Sequence, residues 1–318
     1  MKPMITLADV QAAQARLRSI VKHTPLIYAE SLSSGAGHPV YVKAESLQLG
    51  GAFKLRGAYN KISSLSDDER RRGVVAHSSG NHAIAVAYAS KLLGVKAVIV
   101  IPDNAVEAKV KETLSYGAEV VRCGPTLSDR EDVTRKLQEQ YGYVLVHPFN
   151  DAMIMAGQGT IGLEIVDDLP DVQAVLAPIG GGGLISGIAV AVKSRHPNVK
   201  VIGVEPQGAN DAYRSLREGR IVVLEHVDTI ADGLRSQHLG TLTYDVIRRY
   251  LDDIVLVSDD EILDTVHLLL EKEKLVVEPS GAVAAAALRL RRAGTISGPA
   301  VAVLSGGNID PALLRSLI

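Results

Sequence analysis

A single cysteine, Cys123, stands among 318 residues, so no disulfide can form within the chain, and this usage fits a reducing compartment. No stretch runs about 18 apolar residues without a charge, which leaves no candidate transmembrane helix. Met1 to Val10 lack a basic region followed by an apolar core, so no secretory signal is expected there. Basic and acidic residues are interspersed and the net charge is -2. Without a basic tract, the chain does not read as a binder of nucleic-acid backbones. No internal repeat or low-complexity tract divides it. Nine histidines are present, yet none shows metal-ligand spacing such as H-E-x-x-H, which argues against a zinc enzyme. A cytoplasmic protein acting on a small molecule is the expectation.

What is there is α/β. The hydrophobic share is 47%. Short β-branched runs at 40–44, 74–77, 97–101, 119–122, 144–147, 174–179, 201–204 and 301–304 read as strands. Amphipathic or alanine-rich segments at 81–93, 107–116, 128–141 and 259–273 read as helices, the last opened by Ser258 or Asp259 as cap. Near-continuously apolar strands imply mostly parallel sheets covered by helices on both faces. Residues 73–148 form a compact α/β series, a small domain set into a larger one made of 1–72 and 149–318. The least regular stretch, 208–253, has the character of a segment lying over a site.

Four loops carry chemistry. Gly180, Gly181, Gly182 and Gly183, followed by Leu184, lie between a strand and a helix. Four glycines leave a row of backbone N–H groups at a helix N-terminus, a cradle suited to phosphate. Nucleotide readings of this loop are weak. The third glycine of G-x-G-x-x-G would fall on Ile185 or Ser186, although Glu205 stands where a ribose-binding acid would. The second loop is Gly50-Gly51-Ala52-Phe53-Lys54-Leu55-Arg56-Gly57-Ala58. A partly buried Lys54 at a helix start has its amine pKa lowered by desolvation and by the positive helix end, as imine chemistry requires. Taken alone, such a lysine is more often a solvated surface group. The third loop, Ser78-Ser79-Gly80-Asn81-His82, makes a polar nest able to hold a carboxylate. The fourth, Ser305-Gly306-Gly307-Asn308, ends the last strand. In open α/β sheets such ends gather around one ligand-binding crevice.

Taken together, these motifs resemble the fold-type-II pyridoxal-phosphate enzymes, in the branch of serine/threonine dehydratases and serine racemase. The likeness runs from His23-Thr24-Pro25-Leu26 to Ser305-Gly306-Gly307-Asn308, in the family's order. It implies a two-lobed fold of the tryptophan synthase β kind, a homodimer, and an ammonia-lyase converting L-threonine, L-serine or a related β-hydroxy amino acid to a 2-oxo acid. No regulatory extension follows Ile318, unlike the long biosynthetic threonine deaminases. By the same resemblance, Lys54 carries pyridoxal phosphate as a Schiff base and later moves the α-proton. Phe53 packs near the ring, Asn81 binds the cofactor's O3′, and Gly180 through Leu184 hold the phosphate. Ser305 faces the pyridine nitrogen, and Glu278, in Val277-Glu278-Pro279-Ser280-Gly281, lies near the ring. Ser78, Ser79, Asn81, His82, Arg130 and Ser236 line the substrate end, with His82 supporting the Asn81 loop.

Ser79 opens an alternative. Racemase-like members carry a serine there, on the face opposite the lysine, and two bases on opposite faces are what inversion at Cα needs. Against it, His147-Pro148-Phe149 is similar to the dehydratases, because serine racemase has asparagine at the Phe149 position. Ala52 also replaces the serine common two residues before the lysine. Hydroxyaspartate dehydration is a further alternative, with Arg130 as the candidate partner of a second carboxylate; a non-catalytic ligand-binding α/β protein is the rival of another class. Glu205-Pro206-Gln207-Gly208-Ala209-Asn210-Asp211 resembles the family's cation loop. There Glu205, Asp211 and the Ala209 carbonyl offer hard oxygens to Mg²⁺ or a similar ion, the bland reading being an acidic turn.

Overall fold

The computed structural model describes residues 4–105 and 107–317. The chain opens with α1 (Leu7–Leu17), β1 (Leu26–Tyr28), α2 (Glu30–Ala36) and β2 (Val40–Ala44), then two short 3-10 turns lead into α3 (Lys54–Ser63). After α4 (Asp67–Arg72) comes a run of alternating elements: β3 (Val74–His77), α5 (Asn81–Leu93), β4 (Ala97–Pro102), α6 (Glu107–Ser115), β5 (Glu119–Cys123), α7 (Leu127–Tyr141) and β6 (Val144–Leu145). The long α8 (Ala152–Asp168) leads back to β7 (Ala174–Pro178), α9 (Gly183–Arg195), β8 (Lys200–Pro206) and α10 (Asp211–Glu218). The chain closes with α11 (Thr241–Tyr250), β9 (Asp253–Val257), α12 (Asp259–Glu271), α13 (Pro279–Arg289), β10 (Ala300–Leu304) and α14 (Pro311–Ser316).

Among the described residues there are two sheets. One is six-stranded in the order β1-β2-β10-β7-β8-β9, parallel except where β1 pairs with β2. The other is four-stranded and wholly parallel, β5-β4-β3-β6. The fully apolar strands predicted a sheet buried on both faces, and β3, β4, β7 and β10 are buried along their whole length. Separate apolar clusters cover the two faces of the larger sheet: one with α2, α12 and α13, the other with α8, α9 and α11.

The sequence pattern missed β1 and β9, both at sheet edges, where fewer neighbours demand apolar side chains. It also overran β6, which spans only Val144–Leu145. Ser258 caps α12 through a reciprocal capping box with Glu261. Helix α3 precedes the small sheet in sequence, yet its Leu55, Ala58 and Ile62 join that sheet's core together with Ile154 of α8.

In the larger sheet, β8 and β9 extend from one side of β7, and β10 returns on the other. The change of direction falls between β7 and β10, and the crevice beyond their carboxyl ends is where open α/β sheets take ligands.

Candidate active site

Three loops meet at that crevice. The one after β10 is stitched to the one before α3: Phe53 N donates to Ser305 O at 3.1 Å, Gly307 N donates to Gly51 O at 2.8 Å, and Ala52 forms a bridge with Gly306. Lys54 is the first residue of α3, whose N-cap, Phe53, makes no side-chain cap bond. Its Nζ lies 5.1 Å from the Phe53 ring centroid and donates to Pro148 O at 2.9 Å, in the loop that follows β6. The Lys54 amine thus bridges the loops of both sheets. Burial pulls its pKa down to about 8, with the negative charge of Glu278 opposing the shift.

Asn81 begins α5. Its Nδ2 donates to Glu278 Oε1 at 2.6 Å, and its Oδ1 accepts from Asn308 Nδ2 at 2.9 Å. The amide is therefore fixed in one orientation from both ends. Glu278, 2% exposed, caps α13 in position, and its Oε2 is buried without a partner. Burial, and then the charge of Asp232, push its carboxyl up to about 7. Ser305 is 4% exposed; its hydroxyl makes only a long 3.4 Å bond to Ser280 O.

The glycine loop follows β7. No acceptor among the described residues takes the amides of Gly180, Gly181, Gly182, Gly183, Leu184 and Ile185, and Gly182 at the N-cap of α9 offers no side chain to satisfy them. Such a row of unpaired donors at a helix start fits a bound phosphate. The glycines also have packing reasons that the sequence did not reveal. A Cβ on Gly181 would fall 2.2 Å from the Phe149 ring, and Gly182 has φ +91°, a left-handed conformation. Leu184 contributes its amide; its side chain is buried in the core.

Imidazoles surround the amine. His82 Nε2 donates to Val146 O at 2.8 Å, tying α5 to the loop after β6, while its Nδ1 is buried and unpaired. His147 Nδ1 accepts from the amides of Phe149 (3.2 Å) and Asn150 (2.9 Å), and the ring meets His77 edge-on at 5.9 Å. Burial first, then neighbouring positive charge, lowers both His77 and His147 to about 4, so both are neutral near pH 7. For His77 that neighbour is Arg130, whose own Nε donates to Thr126 O at 3.4 Å. Ser78 Oγ accepts from Gly80 N at 3.3 Å, whereas the Ser79 hydroxyl has no partner among the described residues. Ser236 Oγ is spent on His238 O at 2.8 Å.

Sequence reasoning passed over His77, Asp232, Lys109 and the bridging role of Asn308. Lys109 Nζ of α6 meets Asp232 Oδ2 at 2.6 Å across 123 residues of sequence, and no local pattern announces such a pair. Asn308 stood in a named motif and His147 in a quoted tripeptide, so both had a signal. A cavity of about 460 Å³ lies on the other side of α3, lined by α1, His23, Arg56 and Glu164. It holds none of the loops above, so the donor pattern and not the cavity marks the site.

Glu205, Ala209 and Asp211 lie apart from this group, in the turn after β8. Glu205 accepts from Ala212 N (3.0 Å) and Tyr213 N (2.8 Å), while both carboxylate oxygens of Asp211 are buried without partners. Burial and the charge of Asp211 raise Glu205 well above the carboxylate range, and burial raises Asp211 to about 7. No group of three or more His, Cys, Asp or Glu side chains with metal-binding geometry occurs among the described residues. The donor set here is two carboxylates and a carbonyl. The orphaned, buried Asp211 carboxylate beside Glu205 fits a hard divalent cation.

The likeness to known proteins covers nearly the whole chain. An L-threonine ammonia-lyase of Thermotoga maritima is 46% identical over 316 residues, 99% of this chain and 78% of the relative. An L-threo-3-hydroxyaspartate ammonia-lyase of Saccharomyces cerevisiae is 42% identical, covering 98% of this chain and 96% of that one. The solved structure of maize serine racemase superposes with a TM-score of 0.95 at 40% identity, over 99% of this chain and 97% of its own. No described helix is long and apolar enough to cross a membrane. The pattern that defines the pyridoxal-phosphate dependent enzymes matches residues 17–306, and with the unpaired amide row, the orphaned Glu278 oxygen and the desolvated Lys54 it places this chain in that family, as an enzyme of fold type II.

Proposed function

We propose that this enzyme is an ammonia-lyase that converts L-threonine or L-serine to a 2-oxo acid and ammonia, working as a cytoplasmic homodimer. The observation that carries it is the Lys54 amine, brought to about 8 by burial at the meeting point of the two sheets' loops. The names of the relatives support the reaction class. The single, buried Cys123 agrees with a reducing compartment. Residues 1–72 and 149–318 serve as the cofactor-binding domain and 73–148 as the small domain.

Pyridoxal phosphate, when bound, supplies the electron sink that makes the substrate α-proton acidic. The remaining work belongs to the chain. The amides of Gly180 through Ile185 would hold the phosphate at the N-terminus of α9. Lys54 Nζ would hold the cofactor, and once free again, as a partly neutral amine, it would accept the α-proton. Asn81, held by Glu278 and Asn308, presents its amide to the ring at fixed orientation. Ser305 offers the ring nitrogen a neutral hydroxyl and not a carboxylate. A neutral partner there would leave the ring a weaker electron sink than a carboxylate would. Neutral His77 and His147 leave Arg130 as the charged group at the substrate end, the candidate partner of a β-carboxylate if hydroxyaspartate is taken.

A second reading, racemisation, is favoured by one observation: the Ser79 hydroxyl has no partner among the described residues and so is available to return a proton. Glu205, Asp211 and the Ala209 carbonyl bind Mg²⁺ or a similar ion in a structural or activating role. The deciding experiment incubates the holoenzyme with L-threonine, L-serine and L-threo-3-hydroxyaspartate and quantifies keto acid and D-enantiomer together. Keto acid from threonine or serine is the expected product; D-serine without pyruvate would reverse the order of the two readings.

A further inference from the structure

Helix α3 presents an amine on one side and a guanidinium on the other. Two residues of α-helix rotate the side-chain direction by about 200°, so Lys54 and Arg56 point away from each other. Arg56 is 0% exposed. Its Nε and Nη2 grip Glu45 at 2.9 and 2.8 Å, and its Nη1 and Nη2 grip Glu164 at 2.6 and 2.9 Å. Nη1 also donates to Thr160 Oγ1 at 3.1 Å. Two carboxylates are thus held bidentate by one planar group. Lys43, also buried, binds Glu164 at 2.7 Å and Thr24 O at 2.6 Å, so two cations and two carboxylates cancel.

The partners come from different places: Lys43 and Glu45 from the end of β2, Thr160 and Glu164 from α8. Packing alone does not call for them. Helices α3 and α8 already touch so closely that a Cβ on Gly157 would fall 2.6 Å from Arg56 O, and Gln158 Oε1 accepts from Gly57 N at 3.1 Å. Well-packed apolar residues stabilise a buried site as well as an ion cluster does. What a double fork adds is direction, since its hydrogen bonds fail on small rotations or slips that apolar contacts tolerate. The start of α3 needs that, because Phe53 gives it no side-chain cap.

We propose that Arg56 is a positioning residue: its fork to Glu45 and Glu164 fixes where α3 presents the Lys54 amine. This rests on Lys54 being the cofactor-bearing lysine. Arg56 does not touch the reacting groups; it acts through the helix. The titratable groups that face the amine are Glu278 at the start of α13, His82 on α5 and His147 after β6, and none of them is a partner of Arg56.

The test measures Lys54 itself. The full chain, freed of cofactor, is labelled with an amine-acylating reagent across a pH series, and the extent of Lys54 modification is read by mass spectrometry. In the wild type the midpoint falls near 8. Arg56→Lys keeps the charge and loses the double fork. The Lys54 midpoint is expected to rise by about one pH unit toward the ordinary lysine value. In the holoenzyme, kcat falls about tenfold while KM changes less than about twofold. Thr160→Val removes the hydrogen bond from Arg56 and the hydroxyl's own bond to Gly157 O but keeps every ion pair, so it gives a smaller shift in the same direction and decides the matter if Arg56→Lys does not fold. Folded variants that lose only thermal stability, with the Lys54 midpoint unmoved, overturn the proposal. A shifted midpoint in an enzyme that releases no keto acid from any substrate offered would sink the ammonia-lyase reading and leave the role of Arg56 standing.

Discussion

Both sides of α3 take charge out of water, with opposite results. Behind the helix, Lys43, Glu45, Arg56 and Glu164 cancel in pairs. Burial alone would raise Glu45, but the charge and hydrogen bonds of Arg56 win and hold its carboxyl low. Burial would likewise pull Arg56 down, and Glu45 with Glu164 hold it up. In front of the helix Lys109 pairs with Asp232, but Lys54, Glu278, His77 and His147 have no ion-pair partner among the described residues. Lys54 goes down to about 8, Glu278 up to about 7, and His77 and His147 down to about 4, each toward its neutral form. Compensated charge serves architecture, and uncompensated charge is left free to react.

The largest test of that contrast is removal of the front-side amine. Lys54→Ala should lower keto-acid formation by on the order of 10³-fold or more, with little change in unfolding midpoint. The rear side should respond the other way. Glu164→Ala leaves Arg56 and Lys43 short of a partner and should cost about 3–5 kcal/mol in urea unfolding. A Glu164→Ala chain as stable as wild type would mean that the two sides do not differ as described.

Glu278 gives a finer test, in pH. Its folded-state pKa, about 7, exceeds the ordinary 4.5, so between those values the folded chain binds more protons than the unfolded one. Unfolding free energy from this group must therefore fall as pH rises from 4.5 to 7. Relative to Glu278→Gln, which stays neutral, the wild type should therefore lose about 2–3 kcal/mol over that window. A flat difference would show that Glu278 is not held protonated. The smallest effect concerns the turn after β8. Chelation should lower activity a few-fold, Mg²⁺ should restore it, and Asp211→Asn should abolish the response. Indifference to chelator would leave that turn a buried acid pair.

Legibility in the sequence follows the same divide. The strands that lie inside a sheet, β3, β4, β7 and β10, were readable because burial on both faces demands unbroken apolar runs. Edge strands β1 and β9 carried no such demand. Loops with several unusual residues in a row, such as Gly180 to Gly183, declared themselves, since one glycine suffices for a plain turn. Lys54 did not; alone it was an ordinary lysine at a helix start, and the neighbouring loops singled it out. His77, Lys109 and Asp232 gain their meaning only from partners far away in the chain. The unpaired Glu278 oxygen is a property of three-dimensional surroundings that no local pattern encodes.

One bridge has a consequence for how the chain comes to life. Asn81 belongs to the small sheet's loops, while Glu278 and Asn308 belong to the larger sheet, and the Lys54 amine is desolvated where these loops close on Pro148. A nascent or half-unfolded chain with one sheet formed holds every residue of the site but not the site. Its lysine there is solvated, protonated and inert. Docking of the two sheets is then the step that arms the amine, so in an incompletely folded molecule Lys54 is as protonated as any surface lysine.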